Sequence, residues 1–234
     1  MNLLAIDSCS RILSVALSCG DNEEIFYMEA DAQMKQSELV MGFIDSLMSK
    51  AALKPGDLDG VFCMEGPGSF TGLRIGYSIA KGLALSLSIP FAPVPTLDCI
   101  AFTPLSTLPS PYSLAVIEAR KNACFCAFFK NDARLTEDKD ADFVQIAQEI
   151  NCFNGKITIT GPGSSALYES LPPELRENIF LNNQNRGYAK EIIHIAKKRK
   201  LLDNQNDKYL YSGPEYLRKT DAELNLINKA GMVI

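Results

Sequence analysis

The sequence predicts an α/β protein of two similar lobes, each a mixed sheet flanked by helices. Short apolar runs in the first half give three strands, a helix and a further strand, and the second half repeats a comparable order. The turn Gly66-Pro67-Gly68-Ser69 recurs as Gly161-Pro162-Gly163-Ser164, each time after a strand pattern and before a helical one. The 234 residues, 47% hydrophobic and 22% charged, leave room for one large core or two smaller ones.

Asn2 to Asp7 is an apolar run ending on an acid, and Arg11 to Cys19 alternates well enough to pair with it as a hairpin. Glu24 to Glu29 supplies a third strand. Gln33 to Ala52 reads as a helix closed by Lys54-Pro55-Gly56, and Gly60 to Glu65 as a buried strand. Thr71 to Ser88 is a second helix, and Ile89 to Pro95 a strand edged by prolines. Three prolines among serines and threonines between Ala101 and Pro111 mark a linker. The lobes are therefore expected at 1–104 and 105–234, the last segment packing back on the first lobe. Beyond the linker, Ser113 to Glu118, Ala123 to Lys130 and Lys156 to Thr160 read as strands, with helices at Asp140 to Ile150 and Gly187 to Leu202.

The most distinctive stretch runs from Glu65 to Gly76, where a strand turns into a helix. Its glycines allow close backbone approach, and a helix N-terminus offers unpaired N–H groups to an anion. Asp7, Ser8, Gly66, Gly68, Ser69 and Thr71 are the nucleotide candidates on that basis, although neither P-loop nor dinucleotide spacing is present. The other reading is structural: Gly66 and Gly68 shape the turn, Ser69 or Thr71 caps the helix, and Gly72 and Gly76 permit close packing.

Two helical faces stand out. Gly72, Gly76, Ala80, Ala84 and Ser88 recur every four residues as a small-residue stripe, beside the aliphatic stripe Ile75, Ile79, Leu83 and Leu87. In the preceding helix, apolar positions including Met34, Met41, Phe43, Ile44 and Met48 cover roughly 220° of arc, about twice what one sheet needs. That helix is either sandwiched within the chain or packed on a partner. A docking surface would comprise Met34, Met41, Phe43, Ile44, Met48, Gly72, Ile75, Gly76, Ile79, Ala80 and Leu83, and methionines suit such a surface.

The inventory narrows the chemistry. A formal charge of −5 argues against bulk neutralisation of nucleic-acid phosphate. Seven cysteines without a Cys-x-x-Cys pair read as reduced thiols of a cytosolic protein, with Cys124 and Cys126 in the core. No apolar run is long enough for a membrane span. His194 is the only histidine, so a transition-metal site or a Ser-His-Asp triad has little to build on. No cofactor is expected. Asp7 stands where sugar kinases, Hsp70 and actin-like ATPases hold Mg²⁺, but Cys9 replaces the glycine of their Asp-x-Gly motif. The run Lys197 to Lys200 reads as a solvated helix end or a tRNA contact.

Leu3-Leu-Ala-Ile-Asp-Ser8, Gly66-Pro-Gly-Ser-Phe-Thr-Gly-Leu-Arg-Ile-Gly76, Glu118-Ala-Arg-Lys-Asn122, Pro214-Glu-Tyr-Leu-Arg218 and Asp221-Ala-Glu223 together resemble the TsaB (YeaZ) family. The resemblance spans nearly the whole chain; the family often has Asp where Glu118 stands and a histidine near Gln36. It implies an actin-like, RNase H-related fold of the ASKHA type. It also implies a non-catalytic subunit in synthesis of N6-threonylcarbamoyladenosine at position 37 of tRNA. Its implied partners are the catalytic subunit TsaD, the ATPase TsaE in the assembled complex, and a second copy of the chain when alone, with tRNA reached indirectly. TsaD carries a His-x-x-x-His metal motif that this chain lacks. The rival reading is an actin-like ATPase or kinase using Asp7 and the Gly66–Thr71 turn.

Overall fold

Every side chain of Leu3–Asp7 (β1) is buried, as a central strand requires. Ile12–Cys19 (β2) lies antiparallel to it, Leu3 facing Ser18 and Asp7 facing Ser14, and Glu24–Asp31 (β3) continues antiparallel to β2. After helix α1 (Gln36–Lys50), Gly60–Met64 (β4) runs parallel to β1; after helix α2 (Phe70–Leu87), Phe91–Val94 (β5) runs parallel to β4. The strand order is β3-β2-β1-β4-β5. The computed structural model describes residues 1–20, 24–102, 110–153, 155–203 and 208–218.

The second sheet repeats this plan. Past helix α3 (Thr96–Ala101), Tyr112–Arg120 (β6) pairs antiparallel with Ala123–Lys130 (β7), which also carries Ala133–Arg134 (β8) and Lys139–Asp142 (β9). On its other side β6 is parallel to Ile157–Thr160 (β10), which is parallel to Ile179–Asn182 (β11). Thus β6 stands to β7 and β10 as β1 stands to β2 and β4, the RNase H-like unit of actin-like folds used twice. The recurring glycine turns occupy equivalent places, one between β4 and α2, the other between β10 and helix α5 (Ser164–Ser170).

Alternation along the strands divides the interior into three layers. Leu4, Ile6, Val15, Val61 and Cys63 face α1 and α2. Leu3, Ala5, Phe62 and Met64 face the opposite way, toward α3 and helix α7 (Ala189–Lys198), where Ala115, Ala127 and Phe129 of the second sheet join them. Helix α4 (Phe143–Asn151) and α5 cover the outer face of the second sheet over Leu114, Val116, Cys124, Cys126 and Phe128. A middle layer thus holds the sheets together, and α7, late in the chain, closes the first sheet. The expected boundary at 104, like the Asp221-Ala-Glu223 motif, lies outside the described residues.

Several boundaries differ from the expectation for local reasons. Gln33 and Met34 adopt left-handed conformations (φ +44° and +74°), so α1 starts at Gln36 and Met34 is outside the helix. The expected helix from Asp140 begins at Phe143, because Asp142 and Gln145 form a capping box while Lys139–Asp142 pair with β7. Short elements went unanticipated: α3, β8, β11, helix α6 (Pro173–Arg176) and helix α8 (Lys208–Tyr211). No helix among the described residues is long and apolar enough to cross a membrane.

Candidate functional site: an interlobe cleft and the face of two helices

A cleft of about 950 Å³ opens where the carboxyl ends of strands from both sheets converge. Cys9, Ser10, Arg11, Pro67, Gly68, Ser69 and Phe70 line it from the first lobe; Ile117, Glu118, Ala119, Phe125 and Pro162 line it from the second. Glu215 to Arg218 close one side. Gln36, almost fully buried, donates from Nε2 to the Ser10 carbonyl at 3.0 Å and fixes the loop after β1.

The nucleotide candidates do not share one surface. Asp7 is buried and is not part of the cleft wall. Its Oδ2 accepts from the Tyr188 N–H at 2.9 Å, and its Oδ1 accepts from the Cys9 N–H and Sγ at 3.2 Å each. Burial pushes its pKa up, with these hydrogen bonds opposing. Ser8 is likewise internal, its Oγ donating to the Gly72 carbonyl at 2.8 Å. A Cβ on Gly66, which has a φ of +127°, would lie 2.3 Å from the Glu215 carbonyl oxygen, so chain covers this glycine where an anion was envisaged. Gly68 and Ser69 do reach the cleft, but Gly68 presses on Cys9, 2.8 Å from where its Cβ would be, and the Ser69 N–H already binds the Cys9 carbonyl. Ser69 caps α2 by accepting from the Gly72 N–H at 3.3 Å, and Thr71 is exposed on the first turn, off the cleft wall. Of the nucleotide candidates, Asp7 and Ser8 thus tie β1 to α7 and α2, Gly66 lies under the Glu215 carbonyl, and Thr71 faces solvent. Among the described residues no cluster of His, Cys, Asp and Glu is arranged to hold a metal ion.

The small-residue stripe of α2 also faces inward. A Cβ on Gly72 would sit 2.0 Å from the Ser8 carbonyl oxygen, and one on Gly76 2.8 Å from Ser8 Oγ; Ala80 and Ala84 are buried against the first sheet. Gly72, Gly76 and Ala80 thus let α2 settle on its own sheet and present no surface to a partner. Ile44 and Met48 of α1 are buried in the same core and are withdrawn from the expected docking surface. What remains outward on α2 is Ile75, Ile79, Leu83 and Leu87, each half-buried, and the more exposed Leu85, with Leu39 and Phe43 half-buried and Met41 43% exposed on α1. The wide apolar arc of α1 resolves into a buried side (Val40, Ile44, Leu47, Met48) and this outward remainder.

The family model described as TsaD: tRNA N6-adenosine threonylcarbamoyltransferase matches residues 30–170. The tRNA threonylcarbamoyladenosine biosynthesis protein TsaB of Bacillus subtilis is 27% identical over 97% of this chain and 98% of its own length. The chain belongs to the TsaB (YeaZ) family. Its fold is that of YeaZ from Pseudomonas aeruginosa, with a TM-score of 0.77 at 20% identity over 92% of this chain and 99% of that one. A tRNA N6-adenosine threonylcarbamoyltransferase of Syntrophotalea carbinolica is 35% identical over 36% of this chain and 26% of its own length. The TsaB likeness is thus end to end, whereas that to the transferase is partial.

In this TsaB-family chain three of the four residues from Lys197 to Lys200 are engaged internally. Lys197 Nζ donates to Ser18 Oγ at 2.9 Å, Lys198 pairs with Asp132, and Arg199 Nη2 lies 2.5 Å from Asp98 Oδ2. Asp98, buried on α3, also receives Arg134 of β8, so it pins the end of α7 to the second sheet. Sequence reasoning missed Asp98 and also missed the side of α2 that carries Phe70, Arg74 and Lys81. Arg74 Nε donates to Tyr216 Oη at 3.1 Å, its guanidinium lies 3.9 Å from the Phe70 ring centre, and the Phe70 and Tyr216 rings pack at a tilt of 34° with centres 4.8 Å apart. Arg74 and Tyr216 stand in two of the family motifs, but nothing in either motif indicates that they touch. His194 is exposed beside Phe102 and takes no part in a site.

Proposed function

We propose that this chain is the non-catalytic subunit that docks on TsaD in synthesis of N6-threonylcarbamoyladenosine at position 37 of tRNA. Membership of a family whose curated relatives carry that biosynthetic name supports the pathway. One observation carries the docking role: α1 and α2 touch and pack on the same core, yet Ile75, Ile79 and Leu83 of α2 and Phe43 of α1 stay half-buried and Met41 exposed, apolar surface left over after both helices have packed on their sheet. Two helices side by side are half of a four-helix bundle, and a partner related in sequence would present an equivalent pair. TsaD is that partner in the assembled complex with the ATPase TsaE. A second copy of the chain takes its place when the protein is alone, and tRNA is contacted only through the complex. A cytoplasmic location accords with seven unpaired thiols in the sequence.

The rival ATPase reading needs a carboxylate open to Mg²⁺ at the end of β1, and Asp7 is instead enclosed with its oxygens engaged by Tyr188 and Cys9. The test of docking is co-purification with TsaD. Ile79→Glu and Phe43→Glu place a charge in the outward surface and should reduce capture of TsaD at least tenfold, with the circular dichroism of the fold unchanged. Full capture by both folded variants refutes the surface. Gly76 and Ala80 are unsuitable probes, because bulk there disturbs the chain's own packing.

A further inference from the structure

Residues 208–218 run along the side of α2 that neither the sheet nor the outward aliphatic stripe uses. Tyr209 and Leu210 of α8 pack into the first-lobe core. Lys81 Nζ donates to the Leu210 carbonyl at 2.9 Å and also to the Ser212 carbonyl, placing a cation at the end of α8. The Glu215 N–H donates to the Glu65 carbonyl at 2.8 Å, immediately before the glycine turn. Tyr216 is then clasped by Phe70 and Arg74, and Glu215 to Arg218 form part of the cleft wall. Phe70, Arg74 and Lys81 recur along one side of α2, next to Ile75, Ile79 and Leu83 on the adjoining side. Helix α2 therefore has three duties: small residues against the sheet, aliphatic residues outward, and an aromatic and cationic edge gripping this segment.

We propose that residues 208–218 form a latch on the interlobe cleft, gripped by α2, which tightens when a partner docks on the outward face of the same helix. The docking half rests on the function proposed above. The physical ground is that Arg74 and Lys81 hold the latch through long side chains whose aim depends on where α2 sits. A partner that buries Ile75, Ile79 and Leu83 damps the motion of α2 and of every group anchored to it. The latch thereby links occupancy of the helical face to access at the cleft, although no latch residue need touch the partner.

Hydrogen exchange of the full chain, read by mass spectrometry on peptides spanning 208–218, tests both halves. In the isolated protein, Lys81→Met and Tyr216→Phe should each speed exchange in this segment about tenfold, while peptides from β1 and β6 keep their rates. Tyr216→Phe removes one hydroxyl, so it stays informative if Lys81→Met fails to fold. Unchanged latch exchange in folded variants overturns the latch. With TsaD added to the unsubstituted chain, exchange at 208–218 should slow at least threefold. If α1 and α2 become protected while 208–218 does not, docking stands and the coupling is refuted. If no complex forms, both fall.

Discussion

The inward face of α2 makes a prediction whose sign is opposite at two glycines of one helix. At Gly72 an added methyl would lie 2.0 Å from the Ser8 carbonyl oxygen, 3.0 Å from the Ser8 carbonyl carbon and 3.1 Å from Cys9 Cα. All three are backbone atoms, so no rotamer change relieves the clash and the first turn of α2 must withdraw by about 1 Å or more in a close-packed interior. Overpacking of this kind costs about 1–3 kcal/mol. The same shift endangers the hydrogen bond from Ser8 Oγ to the Gly72 carbonyl, worth about 1 kcal/mol. Against these stands the helix preference for alanine over glycine, also about 1 kcal/mol. Gly72→Ala should therefore destabilise by about 1–3 kcal/mol and lower Tm by roughly 3–10 °C in a chain of this size. Gly82 is exposed on the same helix with nothing within 4 Å of its would-be methyl. Only the backbone effect operates there, and Gly82→Ala should raise Tm by roughly 1–4 °C. Thermal unfolding followed by circular dichroism measures both. A Tm for Gly72→Ala at or above that of the unsubstituted protein would refute the inward placement of the stripe.

Asp7 carries a pH signature. Because burial raises its folded pKa above the ordinary carboxylate value, the folded chain binds its proton more readily than the unfolded chain. The contribution to stability is present below the ordinary value and declines as pH rises through the raised one. Urea unfolding at steps from pH 4 to 8 should show the unsubstituted protein losing stability relative to Asp7→Asn over that window; a gap that moves the other way contradicts it. Titration calorimetry with ATP and Mg²⁺ should give no tight binding that disappears in Asp7→Ala, and such binding would restore the phosphotransferase reading. Asp98→Ala removes the buried acceptor shared by Arg134 and Arg199. The loss should be roughly 2–3 kcal/mol, below the ~3–5 kcal/mol of a fully buried pair because both arginines retain solvent contact. Denaturant unfolding gives the value, and a change under about 0.5 kcal/mol, the scatter of surface substitutions, would show that the cluster does not brace the lobes.

How far residues reported their own surroundings depended on how local those surroundings were. The apolar run Leu3-Leu-Ala-Ile, the alternation through Ile12–Cys19 and the Ala123–Lys130 strand were legible because strand periodicity is written in consecutive residues. The doubled glycine turn was legible as a repeat, and it marks equivalent points of two like sheets. Helix faces were legible only as faces. The periodicity that places Gly72, Gly76 and Ala80 on one stripe is equally compatible with a partner helix or with the chain's own sheet. Ser8, more than sixty positions earlier in the chain, decides between them by passing directly under that stripe. Asp7 shows the same limit, since an acid at the end of a strand becomes a metal ligand or a structural acceptor according to what reaches it. Here Tyr188, from the far end of the chain, reaches it first.

By itself the sequence determined the two-lobed α/β plan, its mixed strands, the glycine turns and the family. These follow from hydrophobic periodicity, turn chemistry and motifs carried by neighbouring residues. Tertiary structure alone decided which stripe of α2 is interior, that Asp7 serves the core, that α7 closes the first sheet and that residues 208–218 clasp α2. Each of these depends on groups far apart in the chain meeting at a distance of a few ångströms, and spacing along the chain carries no record of such meetings.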